Sequence, residues 1–155
     1  MTSKIEQLIR KTLNCAFPKD KVIYNWRPDF LKNPLTGRNL ELDIYYPELN
    51  LAFEINGVYH LTICGKTRDS FKKKKCEEEH INLFAITNPK EIIKIIEQLK
   101  LFYPEIVPLS LESIIEINKY CKRKNKDIER LKNRFTMVNK KTKKKKFKKK
   151  FRKIF

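Results

Sequence analysis

Hydrophobic and polar residues alternate in two short segments, 40–46 and 51–56, on either side of the loop 47–50. A period of two is typical of β-strands, because successive side chains point to opposite faces. Pro47 suits the second position of a type I turn in this four-residue loop. The pattern therefore predicts an antiparallel hairpin in which each strand buries one face.

The predicted hairpin brings two carboxylates together. Its expected pairs are Tyr46–Leu51, Tyr45–Ala52, Ile44–Phe53 and Asp43–Glu54. The Cβ atoms of directly opposite residues lie about 5 Å apart, and like charges at such positions destabilise a hairpin. A divalent cation between the carboxylates reverses the sign of this interaction. Asp43 and Glu54 are therefore candidate metal ligands.

Apolar residues at helical spacing and capping residues predict the helices. Residues 3–6 have the pattern of a capping box, which starts a helix that ends at about Cys15. Later helices are predicted to start at Thr67, Asn88 and Ser110, and the first two of these to end at about His80 and Phe102. Gly57 is expected to end the second strand of the hairpin, and Val58 to Thr67 to be irregular before the following helix.

Two further strands complete the predicted sheet, at 22–26 and 82–87. A helix lies between the hairpin and the segment 82–87, and such a β-α-β order favours a parallel strand pair. The fold class is therefore α/β, with a mixed sheet of about four strands flanked by helices. A basic C-terminal helix and tail are expected to follow.

Charge divides the 155-residue chain, whose formal net charge is +18. From Lys119 to Phe155 there are 15 Lys and 4 Arg against two acidic residues, whereas residues 1–118 are nearly neutral. The expected division is thus a domain at 1–118 and a basic arm at 119–155. Counterion release attracts such an arm to polyanions of any sequence.

The basic arm is predicted to contact nucleic-acid phosphates without reading bases, because it has many lysines and few aromatic residues. The candidate contacts are Lys122, Arg123, Lys124, Arg130, Arg134, Lys143, Lys144, Lys145, Lys146, Lys148, Lys149 and Lys150. The low-complexity residues 139–153 are expected not to fold alone, because their charges repel one another. A solubilising or nuclear-targeting tail is the alternative interpretation.

The cysteines and the hydropathy pattern restrict the class of protein. No pair of the four cysteines has C-x-x-C spacing, which argues against a zinc site. The sequence starts with no apolar signal segment and contains no run of about 18 apolar residues. The expectation is a soluble intracellular protein with reduced thiols and no membrane partner. A viral, nuclear or organellar location and a homodimeric state stay open.

Four motifs together resemble a known family. They are Thr36-Gly-Arg-Asn-Leu-Glu-Leu-Asp43, Glu54-Ile-Asn-Gly-Val-Tyr-His60, Arg68-Asp69-x-x-Lys72-x-x-x-Cys76 and Ile81-Asn-Leu-Phe-Ala-Ile86. Over residues 3–87 the chain is similar to the PD-(D/E)XK restriction-endonuclease-like superfamily. The resemblance is greatest to small nucleases similar to very-short-patch-repair endonucleases, a branch with phage, viral and intron-borne members. It implies a restriction-endonuclease-like sheet.

The resemblance implies that Asp43 and Glu54 bind Mg²⁺, which holds a DNA phosphate and activates water. The superfamily's usual lysine, two positions after the Glu, is replaced here by Asn56, and this departure leaves activity open. Other branch members have a His and a helix Lys at the positions of His60 and Lys72. The catalytic candidates are thus Asp43, Glu54, Asn56, His60, Lys72 and the N-terminal helix acid Glu6.

Each candidate also has a plain structural interpretation. Asp43 and Glu54 could be solvated residues on the polar face of the hairpin, and His60 a surface loop residue. Lys72 lies in the run 72–75, which is typical of a solvated helix face, and Glu6 has the position of a capping-box acid.

The expected function is Mg²⁺-dependent hydrolysis of phosphodiester bonds in DNA. Two alternatives belong to other classes of protein. The first is a catalytically inactive nuclease fold that binds RNA or DNA within a ribonucleoprotein. The second is a small basic structural protein of a virion or ribosome.

Overall fold

The computed structural model describes the backbone of residues 3–56 and 63–151, and their side chains except those of 63–66, 131 and 133–151. The helices are α1 (Lys4–Ala16), α2 (Ile63–Glu78), α3 (Glu91–Leu99) and α4 (Leu111–Phe151). The strands are β1 (Ile23–Trp26), β2 (Leu42–Tyr46), β3 (Leu51–Ile55) and β4 (Asn82–Ile86), with single 3₁₀ turns at Asp29–Leu31 and Pro47–Leu49.

Within the described residues the strands form a four-stranded sheet in the order β1-β2-β3-β4. The β1–β2 and β2–β3 pairs are antiparallel, and β3–β4 is parallel. The pairs Ile44–Phe53, Tyr45–Ala52 and Tyr46–Leu51 form as predicted. The protein is therefore an α/β protein with a mixed sheet flanked by helices, as the sequence predicted.

Helix α1 follows its sequence pattern closely. Ser3 and Glu6 form the predicted capping box, in which each side chain accepts a hydrogen bond from the other's backbone N–H. Ile9 and Leu13, two apolar residues one helical turn apart, are fully buried. Phe17, directly after the helix, packs on Tyr46 with their ring centres 4.8 Å apart.

The strands of the hairpin are buried on both faces, so the prediction of half-buried strands is wrong. Tyr45 and Ala52, expected on the polar face, are 7% and 0% exposed. They belong to a core cluster that includes Cys76 of α2 and Ile81. The helix that crosses from β3 to β4 covers this second face, as expected when a parallel pair is joined by a helix.

Helix α2 begins at Ile63, so the prediction that Thr67 caps it is wrong, and Thr67 lies inside the helix. Its C-terminus lies where it was expected. His80 adopts a left-handed conformation (φ 58°), and the N–H of Ile81 donates to the carbonyl of Cys76 at 2.8 Å. This is a Schellman motif, which places Ile81 in the core directly before β4.

The last helices differ from prediction mainly in length. Helix α3 ends at Leu99, three residues before the expected end. Ser110 caps α4 as predicted, because its hydroxyl accepts the N–H of Ser113 at 3.2 Å. The backbone of α4 is helical to Phe151, so residues 139–151, which are expected not to fold alone, continue a helix that begins at Leu111. Helical hydrogen bonds are local, and lysine ranks among the good helix formers.

The chain divides into two compact units, Met1–Ile114 and Ile115–Phe155, close to the boundary expected from charge. Across the described segments 3–56 and 63–151, no helix is both long enough and apolar enough to span a membrane.

Candidate functional site

A buried ion pair joins β3 to α2. The Nζ atom of Lys72 lies 2.6 Å from Oε1 of Glu54, and the two side chains are only 7% and 8% exposed. The ammonium also donates to the backbone carbonyl of Glu41 at 2.5 Å. By contrast, Lys73 and Lys74 of the same run are 71% and 78% exposed. Lys72 is therefore not part of a solvated face, and neither is Glu54.

Burial determines the protonation of Glu54. Removal from water raises the pKa of its carboxyl to about 7, against the opposing charge and hydrogen bond of Lys72. The negative charges of Asp43 and Asp69 raise this pKa further. Both acids are thus close enough to Glu54 to act on its charge, and their repulsion is of the kind that a cation relieves.

Asp43 is half-buried beside the end of the hairpin ladder. The predicted direct pairing with Glu54 is replaced by a side-chain contact, in which Oδ2 of Asp43 accepts the N–H of Ile55 at 2.7 Å. Burial raises the pKa of Asp43, whereas this hydrogen bond and the charge of Lys72 lower it. The charges of Glu6 and Glu41 add to the rise. Several acids therefore surround Asp43.

Two oxygen acceptors in this region have no donor among the described residues. They are Oε2 of Glu54 and Oδ1 of Asn56, and both are buried. Leaving a buried acceptor unsatisfied costs about 1–3 kcal/mol. Both residues line a cavity of about 210 Å³ that Asp69 and Ser70 also border. The cavity is large enough for several water molecules at about 30 Å³ each.

The donor set is suited to a hard cation rather than a soft one. Carboxylate and amide oxygens are the ligands that Mg²⁺ takes, usually with one or two carboxylates and several waters. In the described part of the chain, no three or more His, Cys, Asp and Glu side chains come together as a metal cluster. Asp43 and Glu54 provide only two carboxylates, so a Mg²⁺ ion held by them would take its remaining ligands from waters or substrate oxygens.

Glu6 lies close enough to Asp43 to raise its pKa, but it has structural partners. Besides its capping role, its Oε1 lies 2.5 Å from the guanidinium of Arg10. Arg10 in turn donates to Oδ1 of Asn25 and stacks over the ring of Tyr24, 4.3 Å from its centre. Glu6 therefore has a structural role in the capping box and the ion pair with Arg10. Its catalytic role stays a prediction.

Sequence reasoning missed three groups at the site: the Arg10 guanidinium, Asn25 and the Glu41 carbonyl. Asn25 has a left-handed backbone (φ 56°) in the middle of β1, and its amide also donates to Glu41 at 3.3 Å. An asparagine within a strand pattern was the available signal, since Asn tolerates this conformation better than most residues. A backbone carbonyl leaves no signal in a sequence.

The remaining candidates are only partly described. His60 lies outside the described residues, as does the rest of 57–62. In the arm, Lys122, Arg123, Lys124 and Arg130 are exposed on α4. For Arg134, Lys143, Lys144, Lys145, Lys146, Lys148, Lys149 and Lys150 only the helical backbone is described.

Comparison with known proteins finds two viral relatives. The chain is 30% identical over 92 residues to Uncharacterized protein 033L of Invertebrate iridescent virus 3, covering 52% of this chain and 44% of that protein. It is 34% identical over 77 residues to Uncharacterized protein 307L of Invertebrate iridescent virus 6, with 39% of each chain covered.

The chain thus spans less than half the length of these curated relatives. No protein-family model matches the chain. No solved structure matches it either.

Proposed function

We propose that this protein is a Mg²⁺-dependent endonuclease that hydrolyses phosphodiester bonds in DNA. The observation that supports this most is the buried contact between Glu54 and Lys72, with Asp43 close by. The carboxylates and the lysine come from two strands and a helix, and all three residues belong to the motifs that resemble the PD-(D/E)XK superfamily. A buried acid and lysine beside a cavity are a recognised signature of a functional site.

Each residue has a definite task in this proposal. Asp43 and Glu54 hold Mg²⁺, which supplies Lewis acidity towards the scissile phosphate and a lowered pKa for the attacking water. Lys72 opposes the rise in the pKa of Glu54 that burial causes and fixes the carboxylate in position, and its charge favours the negative charge that develops during hydrolysis. Proton transfer is assigned here to His60, which matches a position where other members of the resembling branch have a histidine.

The basic arm supplies affinity in this proposal. Four of its predicted phosphate contacts, Lys122, Arg123, Lys124 and Arg130, are exposed on α4. Lysine and arginine on a helix bind phosphates through counterion release and carry no sequence information. The similarity to two iridescent-virus proteins supports a viral setting for this activity.

The test uses the purified full chain and three DNA substrates. Supercoiled, nicked and branched DNA are incubated with and without Mg²⁺, and products are resolved on gels. The proposal expects cleavage of at least one substrate that needs Mg²⁺ and is lost in Glu54→Gln. Cleavage that persists in Glu54→Gln, or in the absence of metal, would show that the activity does not come from a Mg²⁺ site at Glu54.

A binding module without catalysis is the second candidate function. Asn56 occupies the position of the superfamily's usual lysine, and in the described residues no cluster of three metal-ligating side chains is present. This candidate expects the protein to bind DNA or RNA in a gel-shift assay with no cleavage of any substrate. Wild type and Glu54→Gln would then bind equally, because the arm alone carries the affinity.

A further inference from the structure

The second compact unit of the chain, Ile115–Phe155, contains one described element, helix α4. The helix has buried residues in its first turns, since Ile117 is 0% and Cys121 9% exposed. From 122 to 130 every side chain is exposed, including the apolar side chain of Ile128. Helices in proteins gain most of their stability from the packing of an apolar face. Among the described residues, nothing covers such a face of α4 over this stretch.

The apolar residues of α4 nevertheless follow the spacing of a coiled-coil seam. From Ile128 onwards they recur after three, four and three residues, which are heptad positions a, d, a and d. These positions fall along one face of the helical backbone. The seam residues are Ile128, Leu131, Phe135 and Val138. The same spacing leads back to Cys121 and Ile117, interrupted by Lys124.

The residue types along the seam favour a parallel pair of identical helices. A β-branched residue at position a with Leu at d favours two-stranded parallel coiled coils, and Ile128 and Leu131 provide this combination. Partner and orientation depend on the flanking g and e positions. In a parallel pair, Asp127 at g faces Lys132 at e of the other copy, and symmetry makes this contact twice.

Like charges do not meet beside the seam in this arrangement. Arg134, the next residue at position g, faces the neutral Asn139 of the other copy. The exposed basic residues of b, c and f positions lie on the outer side of the pair, where phosphates can reach them. They are Lys122, Arg123, Lys126 and Arg130.

The lysines after Val138 oppose the pairing, because a parallel arrangement brings two strongly basic segments together. Salt screens this repulsion, and a bound polyanion neutralises it. The apolar seam itself is not weakened by screening. Pairing is therefore expected to be tighter at high salt than at low salt.

We propose that α4 is a dimerisation helix, whose seam Ile128–Val138 pairs in parallel with the same seam of a second copy of this chain. The proposal goes beyond the cleavage of DNA and does not depend on it, since each copy carries its own Asp43, Glu54 and Lys72. A dimer joins two basic arms, which then bind one polyanion with greater avidity than a single arm. The seam is short, so the dimer is expected to be weak and to depend on protein concentration.

Sedimentation equilibrium of the full chain tests the proposal without nucleic acid. Wild type, Ile128→Asn and Ile115→Asn are compared over a range of protein concentrations, at about 0.1 M and about 1 M NaCl, where the screening lengths are about 10 and 3 Å. Ile115→Asn is the matched control, because it removes the same side chain from position b of the same helix. The two isoleucines are 48% and 50% exposed. Circular dichroism compares the helix content of the variants.

Wild type is expected to dimerise, and more tightly at the higher salt concentration. Ile128→Asn should weaken the dimer about tenfold or more, because each copy loses an apolar seam residue. Ile115→Asn should dimerise like wild type. A monomer at every protein concentration and at both salt concentrations would overturn the proposal, and so would equal effects of the two substitutions.

Charge reversal beside the seam tests the same pairing without removing an apolar residue. Lys132→Asp brings like charges together at Asp127 of the other copy, so it should weaken the dimer although it lowers the net positive charge. Adding Asp127→Lys to that variant should restore the dimer, because opposite charges then face each other again. A Lys132→Asp variant that dimerises more tightly than wild type would show that net charge governs association, and it would overturn the proposed seam.

Discussion

The ammonium of Lys72 and the carboxylate of Glu54 are 18 residues apart in sequence and 2.6 Å apart in space. The parallel connection from β3 through α2 to β4 produces this contact, since it lays α2 over the strand that carries Glu54. Both side chains are buried, so water and dissolved salt screen the attraction between them only weakly. The contact therefore links the stability of the fold to the chemistry of the candidate site.

Removing the lysine should destabilise the protein in a pH-dependent way. Lys72→Ala leaves a buried carboxylate without its counter-ion, which costs about 3–5 kcal/mol when the acid is ionised. The loss should be largest at pH 8 and clearly smaller at pH 5, where Glu54 takes up a proton. Urea unfolding of wild type and variant at the two pH values measures the difference.

Lys74→Ala is the matched control for that experiment. It removes the same charge from the same helix, but Lys74 is 78% exposed and lies 4.0 Å from Glu78. Exposed pairs of this kind contribute about 0–1 kcal/mol. Equal losses of stability in the two variants would contradict the assignment of Lys72 as the buried partner of Glu54.

Glu54 should also make the fold less stable as the pH rises. Its folded pKa is about 7, against an ordinary value of 4.5, so the folded chain holds this proton more tightly than the unfolded chain. Its contribution is fully present below pH 4.5 and is lost as the pH rises through 7. The shift corresponds to roughly 3 kcal/mol at most.

Glu54→Gln isolates this contribution, because the amide does not titrate and its oxygen can still accept from Lys72. The variant should match wild type near pH 4.5 and become the more stable protein by pH 8, as measured by urea unfolding. A smaller slope should persist in the variant, because the pKa of Asp43 is raised as well. Parallel stability curves would show that Glu54 does not titrate in this range.

The period-two pattern and the turn were sufficient to predict the hairpin and three of its four expected pairs, and the β-α-β order was sufficient to predict the parallel partner strand. Local capping chemistry was sufficient for α1 and α4, because those signals involve residues three positions apart. The capping signals depend on residues that are close in sequence, so they can be predicted from the sequence alone. The same holds for the end of α2 at His80.

The contacts that define the site depend on residues far apart in sequence. Lys72 was identified only by resemblance, since nothing in the run 72–75 distinguishes the one lysine that α2 turns inwards. Tyr45 and Ala52 are buried because helix α2 packs over them. The alternation of apolar and polar residues in the strands does not predict which element covers their second face. The cavity beside Asn56 likewise forms only when α2 and β3 meet.

The nuclease proposal makes a specific prediction for Asp43. Asp43→Asn removes a metal-binding charge but keeps an oxygen that can accept the N–H of Ile55, so the fold should be retained. Stability should be unchanged or slightly raised, since repulsion with neighbouring acids is relieved. Mg²⁺-dependent relaxation of supercoiled DNA should be lost. Asp127→Asn, an exposed change in the other unit, should cleave like wild type.

The last prediction concerns the basic arm. Replacing Lys143–Lys146 by glutamine keeps the length of α4 and removes four charges. Each phosphate contact contributes about 0.9 to the slope of log K against log salt, so the slope should fall by roughly 3 to 4 if all four lysines bind phosphate. Fluorescence anisotropy with a labelled duplex over a range of salt concentrations measures it.

A second quadruple variant distinguishes a nucleic-acid interface on α4 from a general effect of the protein's net charge on binding. It replaces four exposed lysines of the first unit by glutamine, namely Lys19, Lys21, Lys90 and Lys94. Both variants lose the same charge, so a response to net charge alone would lower affinity equally in both. The arm hypothesis expects a large fall in slope only for Lys143–Lys146. Equal slopes in the two variants would mean that α4 is not the nucleic-acid surface, and the affinity would then have to arise from the charge of the whole molecule.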